Sequence, residues 1–132
     1  MDKSELLKLA ERVEALSGPD VETDLAIAVS IGAVPEAYER AIVHGKPMPY
    51  YWHSTDTKAG YWTPLEYTGS LDAAMTLVPE DHIWAIEADT SSEKCGAWCY
   101  DKDCQNTRPH LAATPALAFC AAALRALAKE DS

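Results

Sequence analysis

Two stretches of the sequence decide the fold: Tyr67-Thr-Gly-Ser-Leu-Asp-Ala-Ala-Met-Thr-Leu-Val-Pro79, which continues to Trp84, and Ala112-Ala-Thr-Pro-Ala-Leu-Ala-Phe-Cys-Ala-Ala-Ala-Leu-Arg-Ala-Leu127. The first predicts a helix from Leu71 to Leu77, because the preceding serine can cap it and the closing Val-Pro cannot continue it. The second predicts a long helix, because its Thr-Pro pair is typical of an N-cap and first turn. The alanines that follow favour helix and allow close packing.

Between these stretches the sequence predicts a small antiparallel sheet. The segment from His82 to Asp89 alternates apolar side chains between two faces, as a half-buried strand does. Lys94 to Tyr100 is its predicted hairpin partner across a Thr-Ser-Ser-Glu turn, and Pro64 to Thr68 is predicted as a further short strand. The linkers between these segments are too short for parallel crossovers, so the sheet is expected to be antiparallel.

Two helices are predicted near the N-terminus. Apolar residues at helical spacing mark the first between residues 4 and 16, and Ser17-Gly18-Pro19 ends it. Asp20 is placed to cap the second helix, which runs through Ile31 and is closed by Gly32. Helices at both ends of the chain around a small sheet indicate an α+β fold.

The middle of the chain, from Pro35 to Pro64, has no clear periodicity. A short helix is predicted over Glu36 to Val43, after which Gly45-Lys-Pro47-Met-Pro49 breaks the chain into irregular, loop-rich backbone. Six of the eleven aromatic residues fall between Tyr50 and Tyr67. So many rings in irregular backbone suggest a ligand-contacting surface.

The two opening stretches resemble a known family of small phage and prophage proteins, the phage ABA sandwich type. In that family a "YT.SLDAA..LVP...W" block precedes an "AATPALALC.AALRA" helix. The resemblance implies an α-β-α sandwich with a small antiparallel sheet, an N-terminal helix pair and a long C-terminal helix. It also implies a phage origin, and no established activity.

Size and charge narrow the classes of function. The 132 residues suit a single domain spanning 1–132, with no run of about 18 apolar residues and no secretory signal, so we expect a cytoplasmic protein of the infected bacterial host. The net charge of −10 disfavours binding to a phosphate backbone, which needs clustered Lys and Arg. We therefore expect neither a nucleic-acid nor a membrane partner.

The cysteines raise the question of zinc. Three thiols and an imidazole, the ligand types that zinc prefers, fall in one short stretch: Cys95, Cys99, Cys104 and His110. The run lacks a tight C-x2-C pair, and on one strand Cys95 and Cys99 lie about 13 Å apart. Ordinary reduced cysteines are the favoured interpretation, with a small zinc-stabilised structural domain as an alternative. Because no common catalytic motif occurs, we expect no enzyme activity and no cofactor.

A ligand site is predicted from two groups of residues. The aromatic group consists of Tyr50, Tyr51, Trp52 and Trp62, whose faces can stack on a base. The anion-binding group consists of Lys46 together with Arg108, His110 and Thr114, which lie at the start of the last helix, where free backbone N–H groups attract negative charge. Together these residues predict a site for a small nucleotide-like ligand.

The functional prediction combines this site with the family resemblance. We expect a phage-encoded counter-defence protein that acts as a homo-oligomeric sponge for a small nucleotide-type immune signal, the alanine-rich helix suggesting the oligomer contact. The alternative is an acidic inhibitor that occludes a host defence protein or mimics DNA. The binding face of such an inhibitor would consist of five acids: Glu5, Glu11, Glu14, Glu22 and Asp24. Lys3, Lys8 and Arg12 interrupt this face.

Overall fold

Four helices and two three-stranded antiparallel sheets form in the part of the chain that the structure, a computed structural model, describes: residues 2–54, 59–88, 94–101 and 109–130. The helices are α1 (Lys3–Glu14), α2 (Val21–Ser30), α3 (Leu71–Met75) and α4 (Pro115–Glu130). The strands are β1 (Glu39–Val43), β2 (Lys46–Ser54), β3 (Ala59–Trp62), β4 (His82–Ala88), β5 (Cys95–Asp101) and β6 (His110–Ala112). The predicted α+β fold, N-terminal helix pair and long C-terminal helix are confirmed.

The helices begin where the sequence predicts their caps. The carboxylate of Asp20 accepts a hydrogen bond from the Thr23 amide at the start of α2. Ser70 caps α3 through the Ala73 amide, and Thr114 caps α4 through the Leu117 amide at 3.1 Å. Each cap satisfies a backbone N–H group that has no partner within its own helix.

Helix α4 is the centre of the hydrophobic core. Its Leu117, Phe119 and Leu124 are fully buried, and its alanines let α1, α3 and the second sheet pack closely against it. The rings of Trp84 on β4 and Phe119 meet edge to face with their centres 5.4 Å apart. The buried alanines of α4 therefore pack inside this chain.

The second sheet has the strand order β4-β5-β6 and matches the predicted hairpin. Trp84 pairs with Cys99 and Ile86 pairs with Ala97, so these four side chains share one face of the sheet. That face lies against α4, where Ala97 and Cys99 are buried. The strand β6 then joins the other edge of β5 and leads directly into α4.

The first sheet, with order β1-β2-β3, lies where irregular backbone was predicted. The predicted helix over Glu36 to Val43 is wrong: residues 39–43 form β1, which pairs with β2 across a tight turn at His44 and Gly45. Both turn residues have positive φ, 51° and 77°, the geometry that tight hairpin turns favour. The described part of the chain thus has two small antiparallel sheets where the sequence predicts one.

The predicted strand from Pro64 to Thr68 is also wrong, because its backbone bonds elsewhere. The Thr68 amide and hydroxyl both donate to the Asp24 carboxylate on α2, each at 2.8 Å. The Thr68 hydroxyl also accepts a hydrogen bond from the Asp20 amide. Burial raises the pKa of Asp24, and the bonds from Thr68 oppose that rise. These buried contacts anchor the turn at residues 67–69 to α2.

Candidate functional site

A cleft of about 460 Å³ lies between the helix pair and the first sheet. Helices α1 and α2 form two of its walls, and strands β1 and β2 contribute the third. Its size falls in the range of small-molecule sites. The residues that line the cleft include Lys8, Arg12, Glu22, Leu25, Arg40 and Tyr51.

Three basic side chains reach this cleft from two directions. Lys8 and Arg12 are four residues apart on α1 and so lie on one face of that helix. Arg40 comes from β1, on the other side of the cleft. Glu5 and Glu22 also line it, leaving an excess of one positive charge in a chain whose net charge is −10.

Arg40 is held in place by two neighbours. Its Nε donates to the backbone oxygen of Met48 on β2, across the hairpin. Its Nη2 donates to Glu22 Oε1 at 3.2 Å, which links the first sheet to α2. Within the described residues, Nη1 makes no hydrogen bond. The guanidinium is therefore oriented by the protein and retains unused donors.

The two basic residues of α1 are less engaged. Lys8 makes no ion pair with any residue that the structure describes. Arg12 lies 3.5 Å from Asp20, with both side chains partly exposed. A hydrogen bond from the Thr23 hydroxyl is the main reason that the pKa of Asp20 is lowered, and Arg12 contributes to the same effect. Both cations can therefore meet a ligand without breaking a buried contact.

One wall of the cleft is apolar and carries an aromatic ring. Leu9, Leu25, Ala26 and Val29 supply the aliphatic surface from the two helices. Tyr51 faces them from β2, and its ring packs edge to face with that of Trp62, the ring centres being 5.9 Å apart. An apolar wall with a ring beside basic groups suits a flat molecule that carries an anion.

A second cleft, of about 710 Å³, lies between the start of α2 and the turn before α3. Its charged lining residues are all acidic: Asp24, Glu66 and Asp72. An anionic ligand would be repelled there. We therefore take the first cleft, named the helix–sheet cleft below, as the candidate site.

The predicted aromatic group is divided between the two faces of the first sheet. Tyr51 lines the helix–sheet cleft, and Trp62 lies beside it and packs against the core. Tyr50 and Trp52, one residue away on either side, project from the opposite face, where Trp52 is 44% exposed and pairs with Tyr61. Lys46 is exposed at the start of β2. Only Tyr51 belongs to the cleft lining.

Of the predicted anion-binding group, Lys46 lies on β2, whereas His110 and Thr114 lie on another part of the molecule. His110 is on β6, with its Nδ1 3.7 Å from Glu14 Oε2, and Thr114 uses its hydroxyl to cap α4. Burial is the main reason that the pKa of His110 is lowered; Arg125 adds to this and Glu14 opposes it. Arg108 lies outside the described residues. No described strand of the first sheet contacts β6 or α4, so His110 and Thr114 do not lie beside the predicted aromatic group.

The cysteines occupy separate environments. Cys95 and Cys99 lie on β5 four residues apart, and Cys104 is outside the described residues. Cys120 is buried on α4, where burial raises its pKa to about 12. Within the described ranges no group of three or more metal-binding side chains occurs, and none of the three cysteines there forms a disulfide.

The basic residues of the cleft were not predicted as site residues. Lys8 and Arg12 were interpreted only as interruptions of an acidic helix face, and Arg40 fell within a wrongly predicted helix. The one available signal was the i, i+4 spacing of two cations beside Leu9 on the first helix. Lys8 and Arg12 lie near Arg40 and Tyr51 because of long-range packing, which the local sequence pattern does not predict.

Comparisons with protein-family models, curated proteins and solved structures found no match for this chain. The resemblance to phage ABA sandwich proteins therefore stays a prediction. No helix among the described residues is both long and apolar enough to cross a membrane.

Proposed function

We propose that this protein acts by binding and that it sequesters a small nucleotide-type ligand in the helix–sheet cleft. One observation carries the proposal: three of the chain's eleven basic residues line a single cleft that also holds Tyr51 and an aliphatic wall. On a protein of net charge −10, such a cleft is a favourable place for an anion.

Each part of the ligand has a matching part of the cleft. The base would lie against Tyr51 and the aliphatic side chains of Leu25 and Val29, where ring stacking and burial of apolar surface favour it. The phosphate would meet Lys8, Arg12 and Arg40, and Arg40 offers the planar fork that matches phosphate oxygens. A sponge for a nucleotide signal, as expected for a phage counter-defence protein, is the role that we propose for this site.

The acidic inhibitor is less well supported than the sponge. Of the five acids predicted to form its face, Asp24 is buried with Thr68 and Glu14 pairs with the partly buried Arg125. A DNA mimic needs spaced carboxylates that are free to meet a basic groove. These internal contacts favour the cleft-binding proposal.

The proposed function is tested by capture and release. Purified protein is dialysed against a panel of nucleoside monophosphates and cyclic dinucleotides, freed of unbound material, and then heat-denatured. We expect at least one panel member to be retained and recovered chemically intact, since sequestration does not alter its ligand. Binding of no member at about 1 mM, the weak end of specific affinities, would contradict the proposal. Recovery of a cleaved product would replace sequestration with catalysis.

Lys8→Gln tests whether the cleft is the binding site. Lys8 is exposed and makes no described ion pair, so its replacement should leave the fold intact while weakening AMP binding about three- to tenfold. Lys3→Gln is the matched control, because it removes the same charge from the same helix outside the cleft. Isothermal titration of both variants gives the comparison. Equal weakening by both would show only a general effect of net charge.

A further inference from the structure

The helix–sheet cleft contains a carboxylate at its basic side. Glu22 Oε1 lies 3.2 Å from Arg40 Nη2, and both residues line the cleft. The Glu22 side chain is 62% exposed and Arg40 is 26% exposed. A protein carboxylate thus contacts the same guanidinium that would bind the ligand's phosphate.

This ion pair is one that an incoming ligand can break. Water competes for the exposed Glu22 carboxylate and salt screens it, so such pairs contribute little to stability. Only one of the Arg40 Nη atoms contacts Glu22. The Nε bond to Met48 keeps the guanidinium in position when Glu22 leaves.

We infer that the Glu22 carboxylate occupies the phosphate position of the cleft and is displaced from Arg40 when a phosphate ester binds. This inference rests on the proposed function, since it specifies how the same cleft selects its ligand. Glu22 is then a residue that sets affinity: every anionic ligand must first replace it.

The chemistry of the exchange favours phosphate esters over carboxylates. A carboxylate ligand that replaced Glu22 would form a contact of the same kind while losing its own translational freedom. A phosphate dianion gains more, because it can engage both Nη atoms of Arg40 and also attract Lys8, which has no described ion-pair partner. The ligand class that the cleft selects is therefore the phosphate monoester.

Replacement of Glu22 by a bound phosphate also changes the contacts that join the first sheet to the helix pair. Among the described residues, β2 is the strand of this sheet whose backbone comes close to a helix, α2, and the Arg40–Glu22 ion pair adds a side-chain contact between β1 and the same helix. A bound phosphate would instead join Arg40 of the sheet to Lys8 and Arg12 of α1. The ligand then bridges sheet and helix, which should raise the thermal unfolding temperature as binding to the native state does.

Glu22→Gln tests the inference with AMP as the probe. Removal of the competing charge should tighten AMP binding about three- to fivefold, measured by isothermal titration at low salt. Glu11→Gln is the matched control: it removes one negative charge from an exposed position of α1 outside the cleft, and should change AMP affinity by less than about 1.5-fold. Glu22→Asp keeps the charge near the start of α2 but shortens the side chain, and should also tighten binding.

The outcomes separate this inference from the proposed function. If AMP or another panel nucleotide binds the wild-type protein and Glu22→Gln binds AMP no more tightly than Glu11→Gln does, the inference is overturned and the proposed function stands. AMP that binds neither the wild-type protein nor Glu22→Gln overturns the inference as well. If no panel member binds the wild-type protein, both fail.

Discussion

At the residue scale, Glu14 links helix α1 to strand β6 and helix α4, which come late in the chain. Its carboxylate accepts a hydrogen bond of 2.5 Å from Arg125 on α4 and lies 3.7 Å from His110 Nδ1 on β6. The three side chains are 23–33% exposed, so water only partly screens them. The sequence predicted His110 as a ligand contact, but its neighbours in the structure are an acid and a base from the protein itself.

His110 should make the stability of the protein depend on pH. Its pKa is lowered below the ordinary 6.5, mainly by burial, so the unfolded chain takes up the proton at a higher pH than the folded one. Stability is therefore fully present above about pH 6.5 and is lost as pH falls through the lower, folded-state pKa. His110→Gln should flatten this decline between about pH 8 and about pH 5.5, measured by urea unfolding. If the stability of the variant declines equally, titratable groups other than His110 cause the pH dependence.

At the scale of elements, the accuracy of the sequence prediction followed the strength of local signals. Helix caps at Asp20, Ser70 and Thr114, and the alternation from His82 onward, are set by neighbouring residues, and the structure confirms each. The first sheet was missed because Pro47 and Pro49 argue against a central strand. In the structure they lie in the part of β2 that pairs with β1 alone, so the missing N–H groups cost little.

Gly45→Ala tests the hairpin that builds the first sheet. Gly45 has φ of 77°, which a side chain disfavours, so the substitution should lower the free energy of unfolding by about 1 kcal/mol. Gly18→Ala is the control, because Gly18 lacks positive φ and has open space around its Cα; it should change stability by less than about 0.5 kcal/mol. Chemical denaturation measures both. Equal effects of the two substitutions would show that the turn geometry does not matter.

At the scale of the whole molecule, the distribution of charge supports the proposed site. Several acids are paired internally, whereas Lys8 has no described ion pair and Arg40 keeps an unused Nη group beside the same cleft. The proximity of these residues could not be predicted from the sequence. Lys8, Arg40 and Tyr51 belong to three elements that lie far apart along the chain and pack together only in the folded protein. The proposed site still combines an aromatic ring with basic groups, as the sequence predicted. Its basic residues are Lys8, Arg12 and Arg40 in place of His110 and Arg108.

The proposal that the helix–sheet cleft binds a nucleotide-type ligand is tested most directly by backbone amide chemical shifts. Isotope-labelled protein is titrated with each nucleoside monophosphate and cyclic dinucleotide of the panel. We expect that at least one of them causes changes that are largest on the cleft elements, around Lys8, Arg40 and Tyr51. If the largest changes fall around His110 and Thr114, or if no panel member causes any change, the cleft is not the binding site.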